Sequence, residues 1–382
     1  MNVLLLTWDY PPARGGIQNW MFELAHRLPA ADVTVFAPRA GGAARDPRSG
    51  PSVKRLRSAA LGPGPWLLQL SSATAWRALT GRPDVIVCGH VLTAPAALLV
   101  RRVFGIPYVV FVYAYEIRRP RQQHIVRRVL RGADMVIACS HFTEAAVLRH
   151  GVAPHRVRLL YPGVDLARFG SAPTGTGERA DTGTRTILSV GRLTEPYKGH
   201  DTVIRALPLI KARCASVRYI IVGDGPLREY LAALARSVGA EDAVVFAGEV
   251  PDEQLAGFYR ACDVLVQLSR ESVAGGGVEG FGIVCLEAAA SGKPVVAGRS
   301  GGLVDAVVDG ETGILVDPLD AGATADAILA LLQDRALARR LGDAGRRRVR
   351  ERFTWDRMAT DARRLFAEAV GETWAGSAAS SS

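Results

Sequence analysis

Short runs of apolar and β-branched residues alternate with amphipathic stretches along almost the whole chain. Continuous apolar strands separated by helices are typical of parallel sheets that helices cover on both faces. The pattern occurs twice, and it predicts strands in both halves of the chain. The first series is 3–7, 33–37, 53–56, 85–88, 108–113, 135–138 and 157–161, and the second is 186–190, 219–222, 244–247, 264–267, 294–297 and 313–316.

One stretch, residues 170–184, has the glycine-rich and polar composition of a linker. It separates the two series, so the sequence predicts two doubly wound α/β domains, 1–169 and 185–355, facing a cleft. Ligands of such sheets bind at the carboxyl ends of the strands, and we expect the site there. A helix over 356–374 is expected to pack back on the first domain, and 375–382 has the composition of a disordered tail.

The composition is that of a folded protein, because hydrophobic residues make up 48% of the 382 residues and charged residues 22%. No apolar run reaches the roughly 20 residues that a membrane-spanning helix needs. The opening MNVLLLTWDYPP has no basic region before its short apolar core, which favours a first strand over a signal peptide. The five cysteines form no CxxC pair and the seven histidines show no ligand spacing. We therefore expect a cytoplasmic protein with reduced thiols and no metal.

The net charge is +10, and the segment 101–131 is especially basic, with eight arginines against a single acid. Together with the apolar segment 61–70, in which Trp66, Leu67, Leu68 and Leu70 would be exposed, it fits peripheral contact with an anionic membrane. The alternative, that this apolar segment begins a buried helix, carries equal weight. The eight arginines are Arg101, Arg102, Arg118, Arg119, Arg121, Arg127, Arg128 and Arg131.

A second arginine cluster, at 346–352, lies on a predicted C-terminal helix. We favour a solvated helix face as its interpretation. The arginine-rich runs 118–131 and 346–352 contain no Phe, Tyr or Trp, and the sequence contains no recognised nucleic-acid-binding module, so nucleic acid is not an expected partner.

The segment RESVAGGGVEGFGIVCLE at 270–287 carries the clearest sign of a binding site. Its glycines let backbone approach a ligand and expose N–H groups, above all those of 281–283 if a helix begins there. Glu279 precedes that helix and Glu287 lies about a turn and a half into it, at ~3.6 residues per turn, so both carboxylates could accept hydrogen bonds from hydroxyls. These features suit a nucleotide sugar. A plain glycine loop, or a general acid and base pair, are the alternatives.

Two cations follow the predicted strand 186–190, in the segment GRLTEPYKG at 191–199. Arg192 and Lys198 could grip a diphosphate there and neutralise it as a leaving group, although ordinary surface charges remain an alternative. The next strand ends in the turn VGDGP, whose Asp224 is interpreted first as structural and second as a nucleotide contact.

Near the start of the chain, a proline pair turns the backbone before Gly15 and Gly16 open a helix with an apolar face. Free N–H groups and the positive end of the helix dipole favour a phosphate at such a place. A simple turn before a helix is the alternative interpretation.

Taken together, these segments resemble retaining glycosyltransferase family 4, whose members have the glycosyltransferase-B fold of two Rossmann-like domains. They are most similar to the branch that contains the bacterial phosphatidylinositol mannosyltransferases. The segments, which follow the family order across both domains, are DYPPARGGIQ near the start, PGVD at 162–165, GRLTEPYKG, VGDGP and SRESVAGGGVEGFGIVCLEAAASGKPVVAGRSGG at 269–302.

The resemblance implies an acceptor-binding first domain and a donor-binding second domain, with no metal. The diphosphate would be held from both domains, the sugar by Glu279 and helix amides, the ribose by Glu287, and the base near 246–250. The catalytic residues it implies are Arg192, Lys198, Glu279 and Tyr113, and the donor-binding residues are Gly15, Gly16, Gly191, Asp224, Val250, Phe281, Gly282, Ile283 and Glu287.

One position departs from the family pattern. After the strand that ends near Val112, the family commonly places a histidine, often as HGxE, which lines the donor-sugar pocket. Here the segment is YAYE, so Tyr113 takes that position and Glu116 matches the final glutamate. Tyrosine can hydrogen-bond a hydroxyl or a carbonyl, but it cannot carry a positive charge.

The leading hypothesis is a retaining, metal-independent transferase that moves a hexosyl unit, with mannosyl as one candidate, from a GDP- or UDP-linked sugar. The acceptor would be a lipid, a small molecule or a glycan. In the family, retention is usually explained by front-face attack, in which the leaving phosphate takes the acceptor proton. The rivals are an epimerase or pseudo-glycosyltransferase on the same fold, and an inactive nucleotide-sugar binding subunit.

Overall fold

The computed structural model describes residues 1–13, 15–29, 32–39, 50–57, 62–118, 123–170, 183–272 and 277–372. The chain forms two compact units, Met1–Pro162 with Trp355–Ser382, and Gly163–Thr354. Most of the predicted linker, the predicted tail, and Arg119 and Arg121 of the basic segment lie outside the described residues.

The first unit is built on a seven-stranded sheet in which every pairing is parallel. Its strands are β1 (Val3–Leu6), β2 (Val33–Pro38), β3 (Ser52–Leu56), β4 (Val85–Cys88), β5 (Tyr108–Val112), β6 (Met135–Ala138) and β7 (Val157–Leu159), in the spatial order β3-β2-β1-β4-β5-β6-β7. Its helices up to Pro162 are α1 (Gly16–Arg27), α2 (Pro63–Gly81), α3 (Ala94–Phe104), α4 (Gln123–Gly132) and α5 (His141–Arg149).

The second unit repeats this plan with a six-stranded parallel sheet. Its strands are β8 (Arg185–Val190), β9 (Val217–Val222), β10 (Val244–Gly248), β11 (Val264–Gln267), β12 (Val295–Gly298) and β13 (Ile314–Val316), in the order β10-β9-β8-β11-β12-β13. Its helices are α6 (Leu166–Phe169), α7 (His200–Arg213), α8 (Arg228–Ser237), α9 (Asp252–Ala261), α10 (Ile283–Ala290), α11 (Leu303–Ala306), α12 (Ala321–Gln333) and α13 (Arg335–Arg352).

All the predicted strands are present, with ends within two residues of the predicted ones. The pattern worked because central parallel strands are buried on both faces and so appear as unbroken apolar runs. In each sheet the strand order reverses direction once, between β1 and β4 in the first unit and between β8 and β11 in the second. Such switch points are where doubly wound sheets bind their ligands.

The last helix, α14 (Trp355–Ala369), returns to the first unit as predicted. Its buried face, which includes Met358 and Phe366, shares a core with Trp20 and Met21 of α1. Helices α2 to α5 cover the opposite face of the same sheet. Two Rossmann-like sheets and a last helix that returns to the first unit are the elements expected of the glycosyltransferase-B fold.

The first unit ends earlier than the predicted boundary at residue 169. Val164 N donates to Phe353 O at 2.9 Å, and Ser291 Oγ donates to Phe169 O at 3.1 Å. Residues 163–170 therefore belong to the second unit. Composition indicated a linker only from Gly170 onward, but the short helix α6, which precedes Gly170, already packs against the second unit.

The apolar segment at 61–70 begins helix α2, and its Trp66 and Leu70 are buried, at 1% and 0% exposed. The predicted exposure of these two side chains was wrong, because they pack into the core under the sheet. Leu68 does point outward, at 73% exposed. The described part of the chain contains no helix that is both long and apolar enough to cross a membrane.

The second arginine cluster is only partly a solvated helix face. Arg348 donates to the carbonyls of Asp305 and Ala306 at 2.8 and 2.9 Å, and Arg346 donates to Ser291 O at 3.1 Å. These carbonyls lie at the C-terminal ends of α10 and α11, where backbone oxygens lack helical partners. The two arginines therefore tie α13 to both helices, which the charge pattern alone did not reveal.

The five cysteines are free, as predicted. All except Cys214 are buried. Burial raises the pKa of the Cys88 thiol to about 12, so this side chain stays neutral and unreactive at physiological pH.

Candidate functional site

The loops after β8 and β11 meet at the switch point of the second sheet. Arg270 N donates to Tyr197 O at 2.8 Å, and the Arg270 guanidinium makes a bidentate pair with Asp201 at 2.9 and 3.0 Å. A bidentate pair fixes orientation as well as distance. The two segments that the sequence singled out separately are thus fastened to each other.

Lys198 and Glu279 form the centre of this site. Lys198 Nζ lies 2.7 Å from Glu279 Oε2, and the two side chains are 20% and 17% exposed. The same oxygen accepts from Ser269 Oγ at 3.2 Å and from Gln267 Nε2 at 3.5 Å. Burial lowers the pKa of Lys198, but Glu279 and Tyr197 outweigh it, so the pKa lies above its ordinary value and the ammonium stays charged.

Arg192 is the second cation of the same loop, and it is exposed. Over the described residues its guanidinium has no ion-pair or hydrogen-bond partner. The loop therefore presents one cation that is paired with a carboxylate and one that is available to an anion from solution.

Close backbone packing holds the loop after β8 against the turn VGDGP. Gly223 has φ 127°, and a Cβ there would lie 2.1 Å from Gly191 O, so only glycine fits. Leu193 N donates to Asp224 O at 2.9 Å. The Asp224 carboxylate accepts from Gly225 N at 2.8 Å and is half exposed. These contacts support the structural interpretation of Asp224, and its nucleotide contact stays a prediction.

The helix after the glycine loop begins where the sequence predicted. Gly282 is the N-cap of α10 with φ 97°, and Ile283 is the first helical residue. The first amides of a helix have no acceptor within it, so they are available to an anion or a hydroxyl oxygen. Phe281, by contrast, is buried and packs against Phe353 with ring centroids 5.7 Å apart.

A second glycine pair supports the backbone around Glu279. Gly302 N donates to Glu279 O at 2.9 Å, and a Cβ on Gly302 would lie 1.9 Å from Gly280 O. A Cβ on Gly301 would lie 2.6 Å from Glu279 O. The turn before α11 therefore sets the position of the Glu279 backbone, a role that the sequence did not assign to it.

Glu287 lies in a partly buried polar cluster on α10. Its Oε2 accepts from Tyr259 Oη at 2.6 Å, and Tyr259 packs edge-on against Phe169. Burial raises the pKa of Glu287 to about 7, against the opposing effects of the Tyr259 hydrogen bond and the Arg168 charge. Its carboxyl group is therefore close to half ionised at neutral pH.

Glu287 should make the stability of the protein fall as pH rises. Its pKa is raised in the folded state, from 4.5 to about 7, so its favourable contribution is complete below pH 4.5 and is lost as pH rises through 7. The loss amounts to about 3 kcal/mol at about 1.4 kcal/mol per pKa unit. Chemical denaturation at pH 5 and pH 8 should show most of this loss in the wild type, about 2.5 kcal/mol, and Glu287→Gln should lack it. An equal pH dependence in both proteins would contradict the prediction.

In the first unit, helix α1 begins at Gly16 with Gly15 as its N-cap. Gly15 has φ 154°, and a Cβ there would lie 2.4 Å from Gln18 Oε1. Gln18 Nε2 in turn donates to Asp9 Oδ1 at 2.7 Å. The predicted helix start after β1 is thus present at the switch point of this sheet, and its phosphate contact stays a prediction.

Tyr113 lies in the core of the first unit, 5% exposed. Its hydroxyl donates to Gly89 O at 3.1 Å, and its ring packs edge-on against Trp20 with centroids 5.6 Å apart. Its backbone N donates to Glu116 Oε1 at 2.6 Å. These contacts make Tyr113 a packing residue whose hydroxyl proton already has an acceptor, and its predicted contact with a donor sugar stays a prediction.

The strand end proposed for the base carries one stacking contact. The guanidinium of Arg228 lies 5.5 Å from the ring centroid of Phe246 on β10, and Val250 follows that strand by two residues.

Sequence reasoning did not single out Gln267 and Ser269, although both follow the apolar run of β11 and are buried. Polar residues at the end of a buried strand beside a switch point were the signal that could have revealed them.

Comparisons with known proteins cover nearly the whole chain. Residues 14–168 match the family described as Glycosyltransferase Family 4, and residues 177–348 match Glycosyl transferases group 1. The chain is 36% identical over 375 residues to the GDP-mannose-dependent alpha-(1-6)-phosphatidylinositol monomannoside mannosyltransferase of Mycobacterium tuberculosis, covering 94% of this chain and 96% of that protein. The protein of that name from Mycolicibacterium smegmatis is 35% identical, covering 92% and 95%. Sucrose-phosphate synthase from Thermosynechococcus elongatus has a TM-score of 0.83 at 25% identity, covering 97% of this chain and 100% of that chain.

Proposed function

The chain belongs to the glycosyltransferases that join a family 4 region to a group 1 region, and on this premise we propose that it transfers a mannosyl unit from GDP-mannose. The proposed acceptor is a hydroxyl of a lipid-linked glycan, bound by the first unit. The transfer retains the anomeric configuration and needs no metal. The GDP-mannose-dependent relatives, at 36% and 35% identity, support the donor and the acceptor class.

The observation that carries the proposal is the pairing of Lys198 with Glu279 beside the start of α10 and beside Arg192, which has no partner among the residues that the structure describes. In the proposed reaction, Arg192 and Lys198 neutralise the diphosphate as the bond between the sugar carbon and the phosphate oxygen breaks. The acceptor oxygen bonds to the same carbon, and its proton passes to the leaving phosphate. Because the leaving phosphate takes this proton, no carboxylate base is required. Glu279 instead orients the sugar through its hydroxyls.

A transfer assay tests this proposal. The protein should release GDP from GDP-mannose when a mannosylated phosphatidylinositol is present, at the same rate in excess EDTA, because protein cations replace a metal at the diphosphate. The new linkage should be α by nuclear magnetic resonance. Conversion of the donor into another nucleotide sugar without acceptor, with no release of GDP, would indicate an epimerase, and a β linkage would contradict retention. Activity that EDTA abolishes and Mg²⁺ restores would contradict metal independence. UDP-glucose in place of GDP-mannose checks the donor.

We also propose that the first unit contacts an anionic membrane, where a lipid-linked acceptor would lie. Large apolar side chains point outward from three helices that pack side by side in one layer. Leu68, Trp76 and Leu79 of α2 are 73%, 68% and 66% exposed. The other exposed apolar side chains of this layer are those of Leu99 and Val103 on α3 and Ile125 on α4.

The charges of this layer fit an anionic surface. Helices α2, α3 and α4 contain no aspartate or glutamate. Arg102, Arg127, Arg128 and Arg131 on them are exposed. Arginine charge together with exposed Trp and Leu is the two-part signal that interfacial binding uses.

Sedimentation with vesicles tests the membrane contact. Wild-type protein should sediment with vesicles that contain phosphatidylglycerol at low salt and remain in solution with phosphatidylcholine alone. Trp76→Ser with Leu79→Ser should reduce the bound fraction severalfold, because apolar burial supplies part of the affinity. Leu319→Ser, which removes a side chain that is 70% exposed in the second unit, is the matched control. Equal binding by all three proteins would contradict this surface.

A further inference from the structure

Lys198 and Glu279 satisfy each other in the structure, although the proposed reaction uses them for different parts of the donor. Their contact of 2.7 Å joins the cation meant for the diphosphate to the carboxylate meant for the sugar. A charge-assisted hydrogen bond of this length is among the stronger kinds. A ligand that recruits Lys198 must therefore compete with Glu279 for the ammonium.

Two possible ligands face this competition differently. A nucleoside diphosphate offers phosphate oxygens to Lys198 but has no transferable sugar whose hydroxyls could donate to Glu279, so drawing the ammonium away leaves a carboxylate that is only 17% exposed without its cation. A nucleotide sugar brings hydroxyls that can donate to Glu279 as Lys198 turns to the diphosphate. The hydrogen bonds from the sugar hydroxyls then offset the free-energy cost of separating Lys198 from Glu279. The nucleoside diphosphate has no such compensation.

We propose that the Lys198–Glu279 pair makes the site discriminate between the nucleotide sugar and the nucleoside diphosphate that remains after transfer. This inference rests on the proposed function. Sugar hydroxyls replace Lys198 as donors to Glu279 and release the ammonium to the diphosphate. After transfer the sugar is gone, the pair re-forms, and the diphosphate loses a cation, which favours its release.

The neighbouring contacts make such an exchange of partners possible without moving Glu279. Ser269 Oγ and Gln267 Nε2 donate to the carboxylate oxygen that Lys198 contacts. Gln267 also donates to Ser269 Oγ at 2.8 Å, so the two side chains support each other. Glu279 therefore keeps two hydrogen-bond donors in either state, while Lys198 is the partner that changes.

Glu279→Gln separates this role from simple sugar binding. Calorimetry with GDP and GDP-mannose, without acceptor, should show GDP binding about tenfold tighter than in the wild type, equivalent to about 1.4 kcal/mol. GDP-mannose should bind no tighter, because the charged acceptor for its hydroxyls is lost. Glu195→Gln, an equal change of charge at an exposed position in the same loop, should shift both affinities alike.

A second variant pair keeps the inference testable if Glu279→Gln unfolds part of the site. In Lys198→Gln protein, adding Glu279→Gln should improve GDP binding less than it does alone, because the ammonium to be released is absent. Glu279→Gln that weakens GDP, or shifts both ligands equally, would overturn the inference while leaving the proposed function intact. Wild-type protein that binds neither nucleotide would overturn both.

Discussion

Replacing Lys198 by alanine is expected to lower turnover with the nucleotide sugar at least ~10²-fold, as for other groups that stabilise charge in a transition state. The ammonium lies on the loop after β8 and stays charged because Glu279 holds its pKa above the ordinary value. Its loss would leave the departing diphosphate with one cation fewer and Glu279 without its ion pair. Steady-state rates of GDP release with saturating acceptor measure the effect.

Two further substitutions make this result interpretable. Lys211→Ala removes a lysine of the same unit that pairs with Asp242 at the surface, and it should leave turnover unchanged. Arg192→Ala should also lower turnover at least ~10²-fold, but without a loss of stability, because the described structure shows no partner for its side chain. Near-normal turnover in Lys198→Ala would remove this residue from the mechanism.

Gly302→Ala is expected to damage the site through packing rather than charge. The added Cβ would lie 1.9 Å from Gly280 O, a backbone atom that cannot move without shifting Glu279 and the start of α10. Overpacking of this kind costs roughly 1–3 kcal/mol, and we expect a comparable loss of stability together with weaker binding of GDP-mannose. Denaturant unfolding and calorimetry measure the two effects.

Gly257→Ala is the matched control for that substitution. Gly257 lies inside helix α9, and outside the backbone of that helix and its two chain neighbours a Cβ there would meet no described heavy atom within 4 Å. Because alanine is the better helix former, this variant should gain about 0.5–1 kcal/mol of stability. Equal changes in stability, of the same sign, in Gly302→Ala and Gly257→Ala would show that the close approach to Gly280 O does not exclude a side chain at position 302.

The strands were predictable because their burial is nearly uniform. In β4 and β6 every residue is buried, so each appears in the sequence as an unbroken apolar run. Helix α2 was not predictable in the same way. Its sequence is apolar on most sides, so periodicity does not distinguish Trp66, buried at 1% exposed, from Trp76, at 68%. The packing of the neighbouring helix decided which face is buried.

The candidate site was predictable by residue type and by its place after strands. Arg192 and Lys198 follow β8, and Glu279 precedes the helix that begins after Gly282. Their partners were not predictable, because Lys198 and Glu279 are 81 positions apart. Ser269 and Gln267 escaped attention because single polar residues at a strand end are common in any sequence.

The sequence by itself determined two parallel α/β units, the order of their strands along the chain, and the loops that carry charge, because these depend on local apolar runs and on short motifs. Only the tertiary structure decided that Lys198 is held by Glu279, that Tyr113 belongs to a core, and that Gly302 sets the position of the Glu279 backbone. Those outcomes depend on contacts between segments far apart in sequence, where burial and partner geometry determine what each side chain is free to do.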